Sequence, residues 1–260
     1  MIVVGTGIRL AGQLSAEARS AIERADLVLS LMGDPLLEAW LGSLNSRLEP
    51  LEPLYAQAGA RPKAYRAMVE RMLEEVRSGK RVCAAFYGHP GVFVTPSHEA
   101  IRRAREEGYE AMMLPAVSAE DCLFADLGFD PGASGCQSYE ARDFFVNPRL
   151  FDPSAALILW QIAVLGDGRF VEFTPRPAAL KALSLVLSET YPAEHEVMVY
   201  VAPVLANEEA RIERVALNEL CRVEVEQGST LFVPPLGPPA SSPARLALLE
   251  AMLAEADGTA

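Results

Sequence analysis

"MIVVGTGIRLAGQLSAEARSAIERADLVLSL", residues 1–31, decides the fold class. Its opening is a short buried strand that runs into a glycine turn. Ser15 then stands where a helix N-cap belongs, and "DLVLSL" reads as a second strand after that helix. This strand, turn, helix and strand predict an α/β chain. Gly5 and Gly7 match the first two glycines of a dinucleotide fingerprint, but Leu10 occupies the third position, so that signal is weak.

Moving outward, residues 61–80, "RPKAYRAMVERMLEEVRSGK", predict a helix. Pro62 lies near its start, Tyr65, Met68, Val69, Met72 and Val76 form one apolar stripe, and Gly79 lies near its end. "RVCAAFY" is a buried strand, "PSHEAIRRAREEG" a helix capped by Ser97 and stopped by Gly108, and "EAMMLP" another strand. Beyond about residue 140 the texture changes. "AALILWQI", "EVMVYVAP", "RVEVEQ" and "STLFVPPL" read as strands, joined by polar loops and a helical "PAALKALSLVLSETY". Prolines in "DFFVNPRLFDPS" place a boundary there, giving an N-terminal α/β lobe over 1–145 and a mixed-sheet lobe over 146–260. "SPARLALLEAMLAEA" predicts an amphipathic helix packed on the surface, and "EADGTA" a disordered end.

Composition narrows the function. The net charge of −12 and the scattered arginines leave no basic field for nucleic acid. Cys83, Cys122, Cys136 and Cys221 lack the close spacing of metal ligands and read as buried free thiols, with no metal. The start has no basic n-region and no apolar run reaches about 18 residues, so the expectation is a reduced, cytoplasmic protein off the membrane.

Three stretches carry candidate chemistry. "YGHPGVF" ends a strand at the sheet edge where ligands of open α/β folds sit; Gly88 and Gly91 permit close backbone approach and Pro90 stiffens the turn. The same turn also reads as a simple chain reversal, with His89 as a loop histidine. In "PLYAQAGARPKAY", Arg61 and Tyr65 are four residues apart at a helix start, and Tyr55 reaches in from the preceding loop. A guanidinium beside a phenol favours phenolate and hence a base, while a core tyrosine beside a surface arginine accounts for the same letters. In "LPAVSAEDCLFADLGFDPGASGCQSYEARDF", Ser118 reads as an N-cap or anchoring hydroxyl, and Glu120 and Asp121 as first-turn carboxylates or, less simply, an acid-base pair.

Together these stretches resemble the tetrapyrrole methylase-like enzymes that use S-adenosyl-L-methionine, and within them the borosin peptide-backbone α-N-methyltransferases. The resemblance runs from "VVGTGIRLAGQLSAEA" through the three stretches and "LILWQIAVLGD" to "TYPAEHEVMVYVAP" and "STLFVPPL". The wider superfamily has Pro-Gly-Asp after its first glycine turn and Asp where His89 stands. "GTGIRLAG" and "GHPG" depart from that and fit the peptide branch.

The resemblance implies a two-lobed fold with S-adenosyl-L-methionine between the lobes. Tyr87, His89, Val92 and Phe93 would line one wall, Ser118 and Gln161 would hold the amino acid part, Tyr200, Ser229 and Thr230 would complete the nucleoside pocket, and Ala119 would also bind the cofactor. It implies that Tyr65, assisted by Arg61, removes a peptide amide proton while Tyr55 orients the carbonyl. It also implies a homodimer. The chain shows no clasp-like extension or Val/Ile-rich core peptide after "RLALLEAMLAEADGTA", so a separate precursor peptide is the expected substrate. The rivals are a small-molecule methyltransferase acting on a tetrapyrrole-like carbon, and a cofactor-binding protein that recognises a peptide without catalysis.

Overall fold

The computed structural model describes residues 1–166 and 176–258, without the side chains of the last two. The N-terminal lobe runs β1 (Ile2–Gly5), α1 (Ala16–Arg24), β2 (Leu27–Leu31), α2 (Pro35–Leu44), β3 (Leu48–Pro50), α3 (Pro53–Ala58), α4 (Arg61–Arg77), β4 (Val82–Phe86), α5 (Thr95–Glu106) and β5 (Met112–Leu114). Ser15 caps α1 as expected, its hydroxyl oxygen accepting from Ala18 N at 3.1 Å. The five strands lie in the order β3-β2-β4-β1-β5. Every pairing is parallel.

The period of two in a strand sorts the side chains onto two faces. Val3, Val82, Ala84 and Phe86 pack on one face against Met68, Val69, Met72 and Val76 of α4 and Ala100, Ile101 and Ala104 of α5. Val4, Cys83 and Ala85 pack on the other against Ala18 and Ile22 of α1 and Leu37 and Leu41 of α2. The α4 stripe read from the sequence therefore faces the core, with Tyr65 only partly buried at its edge. The helices after β1 and β4 leave for opposite faces, so a crevice opens between the carboxyl ends of these neighbours, the usual ligand position in such sheets.

The C-terminal lobe begins after α6 (Ala119–Leu127) and α7 (Pro131–Ser134) with β6 (Cys136–Glu140), followed by α8 (Ala141–Val146), β7 (Ala156–Trp160), α9 (Pro177–Leu187), β8 (Glu196–Val201), β9 (Arg211–Ala216), β10 (Thr230–Val233) and α10 (Pro243–Gly258). Its sheet has the order β6-β7-β10-β8-β9. β6 and β7 are parallel and the remaining pairs antiparallel. β6 and α8 thus join the second sheet and its core from within residues 136–146, at and before the division drawn near 145. One sheet face packs on α8 and α9. The other buries Ile158, Trp160, Tyr200 and Phe232 with Leu123 of α6 and Ile8 of the first lobe. Helix α6 is consequently the wedge between the lobes.

Five local expectations change. Ser97 does not cap α5: the helix starts at Thr95, and the Ser97 hydroxyl turns back to the carbonyls of Pro90 (2.5 Å) and Val94 (2.7 Å). "RVEVEQ" lies outside the strands, whereas "RIERVA" forms β9. Tyr55 sits in the short helix α3 rather than a loop. Cys136 and Cys221 are only half-buried, unlike Cys83 and Cys122. Helix α10 includes the "EADG" expected to be disordered, and its Leu246, Leu248, Leu249, Met252 and Leu253 are 49–61% exposed instead of packed. Thr259 and Ala260, and the Asp167 that closes "LILWQIAVLGD", lie outside the described residues.

Candidate active site

The crevice is built from two glycine turns locked to each other. Thr6 N donates to Phe86 O at 2.9 Å, Gly7 N to Gly88 O at 3.3 Å and Gly88 N to Gly7 O at 3.0 Å. Gly7 and Gly88 adopt φ of 74° and 70°, the left-handed region that glycine enters without steric cost. Gln13, which no sequence pattern marked, holds the first turn by accepting from Ile8 N at 2.7 Å and Arg9 N at 2.9 Å.

On the second turn, His89 Nδ1 accepts from Gly91 N at 3.0 Å, which leaves its ring proton on Nε2. A Cβ on Gly91 would stand 2.8 Å from Met113 Sδ, so a side chain there would have to displace that methionine. Tyr87 is half-buried with its phenol pushed up to about 12 by burial, so it stays neutral and keeps its proton to donate. Val92 and Phe93 are 37% and 42% exposed, an apolar ledge left open to solvent. Phe93 holds φ 56°, uncommon for a bulky residue and the kind of local strain that collects at ligand sites. Its ring lies 5.9 Å from that of Trp160, at the end of β7 in the other lobe.

Trp160 is a residue the sequence reading passed over; it anchors the far wall by donating Nε1–H to Ser138 Oγ at 2.5 Å. Next to it, Gln161 has φ 59°. Thr230 is level with Trp160 across β7 and β10, being one residue beyond the Leu231–Leu159 pair, and itself pairs with Tyr200. Thr230 thus lies between Trp160, the residue before Gln161, and Tyr200, with Thr230 and Tyr200 both buried. Tyr200 is 1% exposed, and its hydroxyl donates to Asp126 on α6 at 2.7 Å. Burial, then that bond, raises its pKa. Ser229 is buried and accepts from Glu226 N at 2.8 Å. These two bonds engage both hydroxyls with protein groups.

Ser118 caps α6 in a reciprocal box with Asp121: its backbone N–H donates to Asp121 Oδ2 at 2.6 Å and its Oγ accepts from Asp121 N at 3.2 Å. Ala119 is the first residue of that helix. Asp121 is thus a capping group, and the neighbouring Glu120 carboxyl is raised by burial and then by Asp121.

The tyrosine and arginine trio is assembled on α3 and the first turn of α4. Arg61 Nε donates to the Tyr65 hydroxyl oxygen at 2.7 Å, and its guanidinium carbon lies 5.4 Å from the Tyr65 ring centre. Tyr55 meets Tyr65 edge-on with ring centres 6.2 Å apart. Burial first, then the neighbouring Tyr65, raises the Tyr55 pKa, and this outweighs the pull of Arg61. Tyr55 is therefore a neutral donor. Arg61 also reaches the opposite lobe, donating from Nη1 to Gln161 Oε1 at 3.3 Å. The trio consequently borders the same crevice as the candidate cofactor wall.

This surface suits S-adenosyl-L-methionine. The glycine cradle excludes side chains, the Val92 and Phe93 ledge offers apolar area to a nucleoside, and Gln161 brings an amide for a polar arm. No helix among the described residues is long and apolar enough to cross a membrane.

Comparison with known proteins agrees with this architecture. Relatives include a methyltransferase/ribosomally synthesized type I borosin cyclic peptide precursor of Coprinopsis marcescibilis, 39% identical over 247 residues, covering 92% of this chain and 63% of the relative. The gymnopeptides precursor of Gymnopus fusipes is 42% identical over 241 residues, covering 90% and 57%. The omphalotin A precursor of Omphalotus olearius is 39% identical over 248 residues, covering 93% and 59%. The chain thus spans less than two thirds of the length of these relatives. Among solved structures, a uroporphyrin-III-C-methyltransferase from Thermus thermophilus superposes with a TM-score of 0.64 at 20% identity, covering 90% of this chain and 91% of that one. That likeness bears on the fold. The profile of the tetrapyrrole (corrin/porphyrin) methylases matches residues 1–221, and the chain belongs to that family.

Proposed function

We propose that this protein is an S-adenosyl-L-methionine-dependent α-N-methyltransferase acting on backbone amides of a ribosomally made peptide, as in borosin biosynthesis. The observation that carries the reading is the Arg61–Tyr65 hydrogen bond at the mouth of the cofactor crevice, with Tyr55 beside it. A carbon-methylating enzyme for flat pigments has no evident use for that trio. The names of the fungal relatives, which join a methyltransferase to a cyclic peptide precursor, support a peptide substrate.

An amide N–H is a very weak acid whose nitrogen lone pair is delocalised into the carbonyl. Its methylation requires loss of that proton. Tyr65 oxygen, its own proton first released to solvent, takes it, and the Arg61 guanidinium bonded to that oxygen brings positive charge to the developing imidate. Tyr55, held neutral by burial, donates to the peptide carbonyl oxygen as negative charge collects there. Tyr87, His89, Val92, Phe93, Ser118, Ala119, Gln161, Tyr200, Ser229 and Thr230 form the cofactor wall. The bound cofactor supplies an electrophilic methyl group on sulfur. Holding the peptide in the crevice between the lobes orients the nitrogen toward that group.

We further take the active form to be a homodimer, a reading supported by the exposed leucines of α10 and checked by light scattering on the purified chain. The reaction is tested by co-expressing the chain with a candidate precursor supplied as a separate polypeptide, then locating added methyl groups by fragmentation mass spectrometry. Methyl groups on backbone nitrogens support both the chemistry and a separate substrate. An unmodified peptide, with the cofactor still bound, overturns the peptide assignment in favour of a small-molecule substrate or a binding role.

A further inference from the structure

Arg61 and Gln161 belong to different lobes and are 100 residues apart, yet their side chains meet at 3.3 Å. A guanidinium only donates, so the atom of Gln161 that faces Arg61 is the amide oxygen. The contact therefore settles which way the amide is turned. Nε2 points away from Arg61 and has no hydrogen-bond partner among the described residues. The backbone beneath is also fixed, because Gln161 sits at φ 59° with its carbonyl accepting from Val164 N at 3.1 Å. On its other side Arg61 holds the Tyr65 oxygen. One continuous chain of polar contacts links Tyr65 in the first lobe to an available donor at the rim of the second.

We propose that Gln161 is a positioning residue that couples cofactor occupancy to the Arg61–Tyr65 pair: Arg61 orients the amide so that Nε2 donates to the cofactor's carboxylate, and that bond in turn keeps Arg61 on Tyr65. The inference rests on the function proposed above. Thermodynamic linkage makes the coupling reciprocal. Arg61 then contributes to cofactor affinity without touching the cofactor, and an occupied site holds the tyrosine in its working position before peptide arrives.

The test uses calorimetric binding to the full chain, with two ligands. S-adenosyl-L-homocysteine carries the carboxylate; methylthioadenosine keeps the nucleoside and thioether but lacks the amino acid arm. The variants are Gln161→Gly, Arg61→Met and their combination. Glycine removes the side chain at a left-handed position without adding backbone strain, so the fold is retained; Gln161→Glu is a second probe that still accepts from Arg61 but has no donor. Gln161→Gly and Gln161→Glu are expected to weaken S-adenosyl-L-homocysteine by about tenfold or more while leaving methylthioadenosine unchanged. Arg61→Met is expected to weaken S-adenosyl-L-homocysteine selectively, and the double variant to be no worse than Gln161→Gly alone. Unchanged S-adenosyl-L-homocysteine binding in Gln161→Gly, or losses that multiply independently in the double variant, overturn the inference and leave the methyltransferase reading standing. Failure of the unaltered chain to bind either ligand overturns both.

Discussion

A Cβ placed on Gly5 would stand 2.2 Å from the carbonyl oxygen of Gly88. The obstruction is backbone, and the same Cβ would also meet Ala116 and Pro90 at 2.6 Å. None of these can swing aside as a flexible side chain would, so the two glycine turns approach each other only because Gly5 has no side chain.

Gly5→Ala should therefore destabilise the chain by about 1–3 kcal/mol through overpacking. Urea denaturation measures this, and S-adenosyl-L-homocysteine affinity should fall with it as Gly88 is pushed from Gly7. Unaltered stability and affinity would mean that the turns carry no constraint.

Tyr65→Phe should lower methyl transfer by about 10²–10⁴-fold, the range for loss of a positioned general base. Cofactor affinity should fall far less than turnover, because Arg61 keeps its bond to Gln161 when the Tyr65 hydroxyl is lost, and the fall that remains measures the coupling between the two contacts. Tyr55→Phe should retain more activity. Single-turnover rates measured beside binding isotherms separate the effects; full turnover by Tyr65→Phe would remove it as the base.

Phe93→Gly should leave stability nearly unchanged. It relieves a left-handed backbone cost of about 1–2 kcal/mol while losing an aromatic contact with Trp160 of about 0.5–1.5 kcal/mol. Cofactor binding should weaken, since the apolar ledge is gone. A thermal melt paired with calorimetry gives both readouts, and a large loss of stability would show Phe93 to be a structural residue first.

Glu38 offers a prediction in pH. Burial raises its carboxyl pKa above the ordinary 4.5, against the opposing pull of the hydrogen bond from Ser30. A raised pKa means that its contribution to stability is fully present below 4.5 and is lost as pH rises through the folded-state value. Glu38→Gln keeps an acceptor for Ser30 without the charge. It should melt higher than the natural chain at neutral pH, with the difference closing below that ordinary value. Equal melting temperatures throughout would contradict the sign.

Much of this architecture was legible because local signals agreed with tertiary demands. Ser15 precedes its helix as a cap should, and the α4 stripe has one face to bury. The errors have equally local causes. Ser97 looks like a cap because it precedes an apolar pattern, but its hydroxyl is taken by Pro90 and Val94. "RIERVA" looks like a loop because β9 is an edge strand with charged side chains in solvent, whereas the alternation in "RVEVEQ" never finds a partner strand. At the site, the spacing of Arg61 and Tyr65 could be read along one helix. The Arg61–Gln161 and Phe93–Trp160 contacts join lobes, and no periodicity in either lobe encodes them.

The single Ser97 hydroxyl proton, shared between the Pro90 and Val94 carbonyls, has a kinetic consequence. The ledge residues Val92 and Phe93 lie between those anchor points, so the segment is ordered during folding and little conformational entropy remains to be lost when a nucleoside settles on it. Ligand capture should then be a single exponential whose rate rises linearly with concentration, without a plateau set by loop rearrangement. Ser97→Ala frees both carbonyls, and saturation of the observed rate should appear in that variant alone.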